Sequence, residues 1–173
     1  MKRLSMFVVA LAFVAAGCSK SSTSPSTTPT KPTFTATLST ANEVPPITGV
    51  EAGGRGDATI TFDGPRDASG NFTGPVSVTF VVNLSGFPAG TPINIAHIHT
   101  GAAGVSGAVL VSTTLAAGEV NLANGSGSFT KVATGVDAAV AQSIVNNPAG
   151  FYFNAHSTLN GGGVVRGQLV KVS

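Results

Sequence analysis

Residues 76–84 read Val-Ser-Val-Thr-Phe-Val-Val-Asn-Leu, and every second side chain (Val76, Val78, Phe80, Val82, Leu84) is apolar. A period of two puts these five on one face of an extended strand, which is the pattern of a strand packed on a core and not of a helix. Residues 34–38 and 58–62 repeat the alternation. Segments 93–99, 108–113, 125–130, 151–156 and 164–170 are further strand candidates. Between them lie turn sequences such as Asp63-Gly64-Pro65 and Ser69-Gly70-Asn71. One stretch keeps helical spacing instead. Val136, Val140 and Ile144 recur every fourth residue, and Asn146-Asn147-Pro148 closes the run, so a short helix is predicted over 136–145. The chain has 22 Gly and 10 Pro, which suits many turns. The expected fold class is all-β: a Greek-key β-sandwich or barrel of seven or eight strands with one short helix.

The N-terminal end reads differently. Lys2 and Arg3 precede an uncharged apolar run over 6–16, too short for the roughly 20 residues that span a bilayer. It has the length of a signal-peptide core. The run ends in Ala15-Ala16-Gly17-Cys18, which resembles the lipobox cut by lipoprotein signal peptidase before the cysteine. Residues 1–17 are therefore expected to be a lipoprotein signal peptide, and Cys18 the lipidation site, where two lipid signals hold better than one. Cys18 is the only cysteine in the chain, so the folded domain is expected to do without disulfides. Residues 19–32 are Ser, Thr, Pro and Lys only and cannot offset the entropy of ordering, so 18–32 reads as the lipidated cysteine and a disordered tether. Extended, it would reach on the order of 40 Å. The folded domain is expected over 33–173, extracytoplasmic and held to the cell membrane or outer membrane.

With the signal removed, seven basic residues (Lys20, Lys31, Arg55, Arg66, Lys131, Arg166, Lys171) balance seven acidic ones (Glu43, Glu51, Asp57, Asp63, Asp67, Glu119, Asp137). No basic run exists, so nucleic acid has no electrostatic support as a partner. Charged residues are only 9% of the chain. The few acidic groups are scattered through loops, which leaves a paired-carboxylate glycosidase site unsupported. There is no G-x-S-x-G, no P-loop, no G-x-G-x-x-G opening a helix and no spare cysteine nucleophile. No catalytic residue is assigned.

All three histidines lie in two strand segments. His97 and His99 form an H-x-H pair, and residues i and i+2 of a strand face one side, so both imidazoles can reach one ion. His156 shares its parity with Tyr152 and Asn154, opposite Phe151, Phe153 and Ala155, and so should turn away from the apolar core. Three neutral imidazoles suit Zn²⁺ or Cu²⁺, and each needs a partner on its other ring nitrogen. A competing reading gives His97 and His99 only the task of hydrogen-bonding the Gly-rich loop 100–107.

Three separated segments carry a family resemblance. They are Ala41-Asn42-Glu43-Val44-Pro45-Pro46; residues 97–107, from His97-Ile98-His99 through the Gly-rich loop; and Tyr152-Phe153-Asn154-Ala155-His156-Ser157 followed by 162–169, which contains Arg166-Gly167-Gln168. In this order and spacing they resemble the CHRD domain, named after chordin, over about 33–172. The resemblance implies an immunoglobulin-like β-barrel similar to that of copper/zinc superoxide dismutases, in which an H-x-H strand supplies copper ligands. It makes His97 and His99 candidate ligands and His156 the candidate third. Asn42, Glu43, Asn154, Arg166 and Gln168 are the polar motif residues that could support them. The chain departs from the dismutases in having no fourth histidine and no disulfide within the domain, so dismutase activity is not expected. Chordin in animals binds extracellular growth factors; separately, a tethered surface module is expected to meet a protein or an envelope glycan.

Two function classes follow: a binding or structural module of the cell envelope, and a copper- or zinc-binding protein using three histidines. The anchor has its own test. Cys18→Ser should leave a precursor that keeps its signal and takes up no labelled lipid. Mature-sized lipidated protein from that variant would remove the assignment.

Overall fold

The computed structural model describes residues 30–173. The signal peptide, Cys18 and the tether up to residue 29 lie outside the described residues. Among the described residues there are ten strands: β1 (Thr33–Ser39), β2 (Arg55–Asp63), β3 (Val76–Ser85), β4 (Thr91–Thr100), β5 (Val109–Ser112), β6 (Val120–Leu122), β7 (Gly127–Val136), β8 (Phe151–Ser157), β9 (Val165–Gln168) and β10 (Val170–Lys171). They form one antiparallel sheet in the order β5-β4-β8-β9-β1-β2-β3-β7, with β6 added to β4 and β10 to β1. The eight strand segments legible in the sequence are all here. The higher count comes from β6, whose three residues are too few to read as a strand, and from Leu169, which splits 164–170 into β9 and β10.

The sheet curls until its ends approach, with β5 and β6 against β7, so it forms a nearly closed barrel. The period-two residues explain the curl. Val76, Val78, Phe80, Val82 and Leu84 all point inward, as do Phe34, Ala36 and Leu38 from β1 and Ala58, Ile60 and Phe62 from β2. Phe80 on β3 and Phe153 on β8 come from opposite walls, and their ring centroids are 6.0 Å apart. Phe34 and Phe62 meet edge-on at 5.5 Å. Burying each of these rings is worth roughly 1.5–3 kcal/mol against exposure to water. The helix α1 (Ala138–Asn146) starts after Asp137, whose Oδ1 accepts the N–H groups of Ala139 and Val140 at 2.8 and 3.2 Å. This N-cap satisfies two amides that have no partner inside the helix. Ala141 and Ile144 join the barrel core.

Composition placed Lys31 and Pro32 in the tether. In the structure the Pro32 carbonyl accepts Phe62 N–H at 2.9 Å, and Lys31 pairs with Asp63 at 2.7 Å. Ordered contacts therefore begin a few residues before Thr33. The C-terminal end returns to the same place, where the Thr33 carbonyl accepts the Val172 N–H at 2.8 Å.

Candidate metal centre

On β4, Ala96 and Ile98 face the core, so His97 and His99 face outward. The antiparallel register extends that outer face across two neighbouring strands. His97 lies opposite Asn154 and His99 opposite Tyr152 on β8. Asn154 in turn lies opposite Arg166, and Tyr152 opposite Gln168, on β9. The outer face of β4-β8-β9 is thus a patch of polar and aromatic side chains, continued by His156. Every residue of β8 is buried. A strand that alternates polar and apolar yet is covered on both faces needs a second cover, and loops provide it.

The Gly-rich loop 101–107 is the main cover. Arg166 Nη2 donates to the Ala102 and Val105 carbonyls at 3.0 and 2.6 Å, and Gln168 Nε2 donates to the Gly101 carbonyl at 3.0 Å. Gly107 N–H donates to the Tyr152 hydroxyl at 3.3 Å, and the Gly107 carbonyl accepts from His99 Nδ1 at 3.0 Å. Only glycine fits at 107, because a Cβ there would sit 1.8 Å from the Thr100 carbonyl oxygen. Loop 158–163 covers the other end. Its Gly161 carbonyl accepts from His156 Nδ1 at 2.9 Å. Buried Glu51 pins that loop, accepting from Ser157 Oγ at 2.7 Å and Asn160 Nδ2 at 2.6 Å.

Under these covers the three imidazoles converge. One nitrogen from each of His97, His99 and His156 falls within a set whose members all lie within 4.8 Å of one another. His97 Nδ1 is 3.3 Å from His156 Nε2. The Nδ1 atoms of His99 and His156 both face carbonyls, so they carry the ring protons and their Nε2 atoms keep lone pairs. His99 Nε2 is buried without any hydrogen-bond partner. Burial, with His156 and His99 beside it, pushes His97 down to about 4, and burial also lowers His156 against the opposing Gly161 carbonyl. Neutral rings with convergent lone pairs are what a borderline metal ion requires. The hydrogen bond from His99 to the Gly-rich loop is also present, and it uses the other nitrogen. Loop support and ion binding are compatible in one ring.

The five polar motif residues divide. Only Asn154 touches a histidine, with Oδ1 3.1 Å from His156 Nε2. Arg166, only 1% exposed, lays its guanidinium 3.4 Å from the centroid of the Tyr152 ring, and Tyr152 stacks on His99 at 4.9 Å with an interplanar angle of 8°. The buried cation is thus held by a ring face and backbone carbonyls. Asn42 Nδ2 donates to the Arg166 carbonyl at 3.0 Å. Gln168 fastens loops, donating also to the Ala149 and Phe151 carbonyls at 2.9 and 3.1 Å. Glu43 lies against Asn154, with the Arg166 charge acting on it. Its Oε1 is buried without a hydrogen-bond partner, and its burial pushes its carboxyl up to about 7. Sequence reasoning missed Tyr152 as a site residue, although its parity with Asn154 and His156 was the available signal. The carbonyls of Gly107 and Gly161 and the Glu51 clamp carried no sequence signal.

Fold and site together define a small cysteine-free all-β domain with a polar face sealed under loops and a three-histidine cluster within it. The family description of the CHRD domain matches residues 34–169, and the chain belongs to that family. Comparisons with the curated proteins and with the solved structures find no match.

Glu43 gives this site a measurable pH signature. Its folded pKa lies above its ordinary 4.5, so the stability it contributes is present below about 4.5 and is lost as pH rises through about 7. His97 acts in the opposite sense. Its depressed pKa makes protonation favour the unfolded chain, so its effect appears as pH falls below 6.5 toward 4. Glu43→Gln removes the first effect alone. Urea denaturation should show the variant gaining on wild type by roughly 2–3 kcal/mol between about pH 5 and about pH 8. A difference independent of pH would show that Glu43 ionises freely.

Proposed function

We propose that this protein is an envelope-anchored, extracytoplasmic domain that binds one Cu²⁺ or Zn²⁺ ion through His97, His99 and His156. The observation that carries the reading is the convergence of one ring nitrogen from each of three imidazoles within 4.8 Å, together with a His99 Nε2 that is buried and unpartnered. A buried polar atom without a partner costs about 1–3 kcal/mol, and an ion between the rings removes that cost. Carbonyls on the far nitrogens of His99 and His156 set their tautomers, as the outer partners of metal-bound histidines do. An ion with three protein ligands keeps a fourth position for an outside group, which it would polarise as a Lewis acid. His97, the half-buried member, marks the side from which that position is reached. The likeness of CHRD domains to copper/zinc dismutase barrels supports the same residues. The site has no fourth histidine, and binding or storage of the ion is the activity this reading assigns.

Anchoring rests on the N-terminal sequence, where Cys18 follows a signal-like run and precedes a Ser/Thr/Pro segment. Among the described residues no helix is long and apolar enough to cross a membrane. A second reading, a module that docks an envelope protein or glycan, is favoured by a cleft of about 630 Å³ lined by Asn42, Glu43, Val44, Pro46 and Ala103. The cleft size falls in the range of small-ligand sites.

Calorimetric titration decides the metal reading. Wild type should bind one Zn²⁺ or Cu²⁺ at neutral pH and melt at a higher temperature with the ion present. His97→Ala and His156→Ala should each weaken binding by at least about tenfold, while Lys131→Ala, remote and paired with Glu119, should not. Because burial lowers His97 to about 4 and lowers His156 from its ordinary 6.5, proton competition at these rings should set in below 6.5. A well-folded wild type that takes up neither ion would leave the histidines with loop support alone.

A further inference from the structure

The groups behind His156 form a chain that ends on a carboxyl with no other task in the site. His156 Nδ1 faces the Gly161 carbonyl, so in the neutral ring Nε2 holds the lone pair. The Asn154 amide lies 3.1 Å from that Nε2 on one side and against Glu43 on the other. The two ends meet over Gly163, where a Cβ would come within 2.7 Å of both Asn154 Nδ2 and Glu43 Oε1. Gly163 has φ +133 and no side chain, which lets the amide and the carboxyl share that space.

Two proton arrangements fit this chain. In the first, the amide oxygen faces Nε2 and the amide NH₂ donates to an ionised Glu43. Nε2 then points a lone pair at an oxygen, a contact that a cation between the rings, or a proton on His97 Nδ1 3.3 Å away, relieves. In the second, the amide is turned over. Its NH₂ donates to Nε2, and its oxygen faces Glu43, which must hold a proton to donate. The first arrangement suits a bound ion and a carboxylate; the second suits the ion-free site and a carboxylic acid.

We propose that Asn154 and Glu43 are positioning residues that couple ion binding at the three histidines to release of one proton from Glu43. This rests on the three-histidine reading above. The balance is simple. A divalent ion enters, the Glu43 O–H bond breaks, the proton passes to water, and the carboxylate left behind offsets one positive charge of a site whose ligands are all neutral. Glu43 lines the cleft of about 630 Å³, which gives the proton its way out. The other charged group acting on Glu43 is Arg166 on β9, which favours the ionised form. Burial holds the carboxyl near 7, so the exchange operates around neutral pH.

The test is Zn²⁺ titration calorimetry in buffers of different ionisation enthalpy, which counts protons released. At about pH 6.5 wild type should release more protons than the Glu43→Gln protein, by most of one, and that difference should fall toward zero by about pH 8.5. Glu43→Gln keeps a donor toward Asn154 and adds no charge, so it should fold, bind Zn²⁺ about tenfold or more weakly and lose most of that release. A wild-type count that does not change with pH overturns the coupling without needing any variant. Unchanged release in a Glu43→Gln protein that still binds the ion overturns it as well, and leaves the three-histidine site standing. Failure of wild type to bind Zn²⁺ or Cu²⁺ overturns both.

Discussion

Arg166 is buried, and among the described residues no carboxylate stands within ion-pair distance of it. Taking a guanidinium out of water is costly unless its donors and its charge are met. Here Nη2 is met by two carbonyls of the Gly-rich loop and the charge by the face of Tyr152. That one side chain therefore requires loop 101–107 to close over the outer face of β8 and β9. Closure buries Tyr152, which lies flat on His99 and fixes the plane of its ring. It also brings in the Gly107 carbonyl, which fixes the tautomer of that ring. The geometry of the histidine cluster is a consequence of how a buried cation is satisfied some distance away.

The barrel was legible because its physics is local. Alternation over 76–84 and in its shorter copies reports which face meets the core, and β1 to β3 obey it, while a bulge between Ile93 and Ile95 flips the parity of β4 so that Ala96 and Ile98 turn inward. The H-x-H pair was legible for the same reason, since parity alone puts His97 and His99 on one side. His156 was placed by parity on the polar face, where it lies, yet parity gave no sign that this face is sealed. Sealing depends on loops 101–107 and 158–163, whose glycines encode only permission for close approach. The Gly107 position shows this: the sequence shows a glycine, and only the fold shows the Thr100 carbonyl that demands one. The pairing of Asn42 with the Arg166 carbonyl joins residues 124 apart, beyond any local pattern.

The cluster's electrostatics follow from the same seal. Burial depresses His97 and His156, and the neighbouring imidazoles disfavour their protonation further. On the far side of Asn154 the same burial raises Glu43. Burial thus favours neutral rings at His97 and His156 and a protonated Glu43, in a wall that also holds the Arg166 cation. The loops that seal it are held by Glu51, Arg166 and Gln168, so the site is built on the sheet and trimmed by backbone carbonyls.

The central claim is that His97, His99 and His156 ligate one ion together. X-ray absorption at the zinc edge of the Zn²⁺-loaded protein tests it most directly. The account requires three imidazole nitrogens at about 2.0–2.1 Å, with the outer-shell scattering characteristic of the rings. A coordination shell made of oxygens, without imidazole scattering, would contradict it.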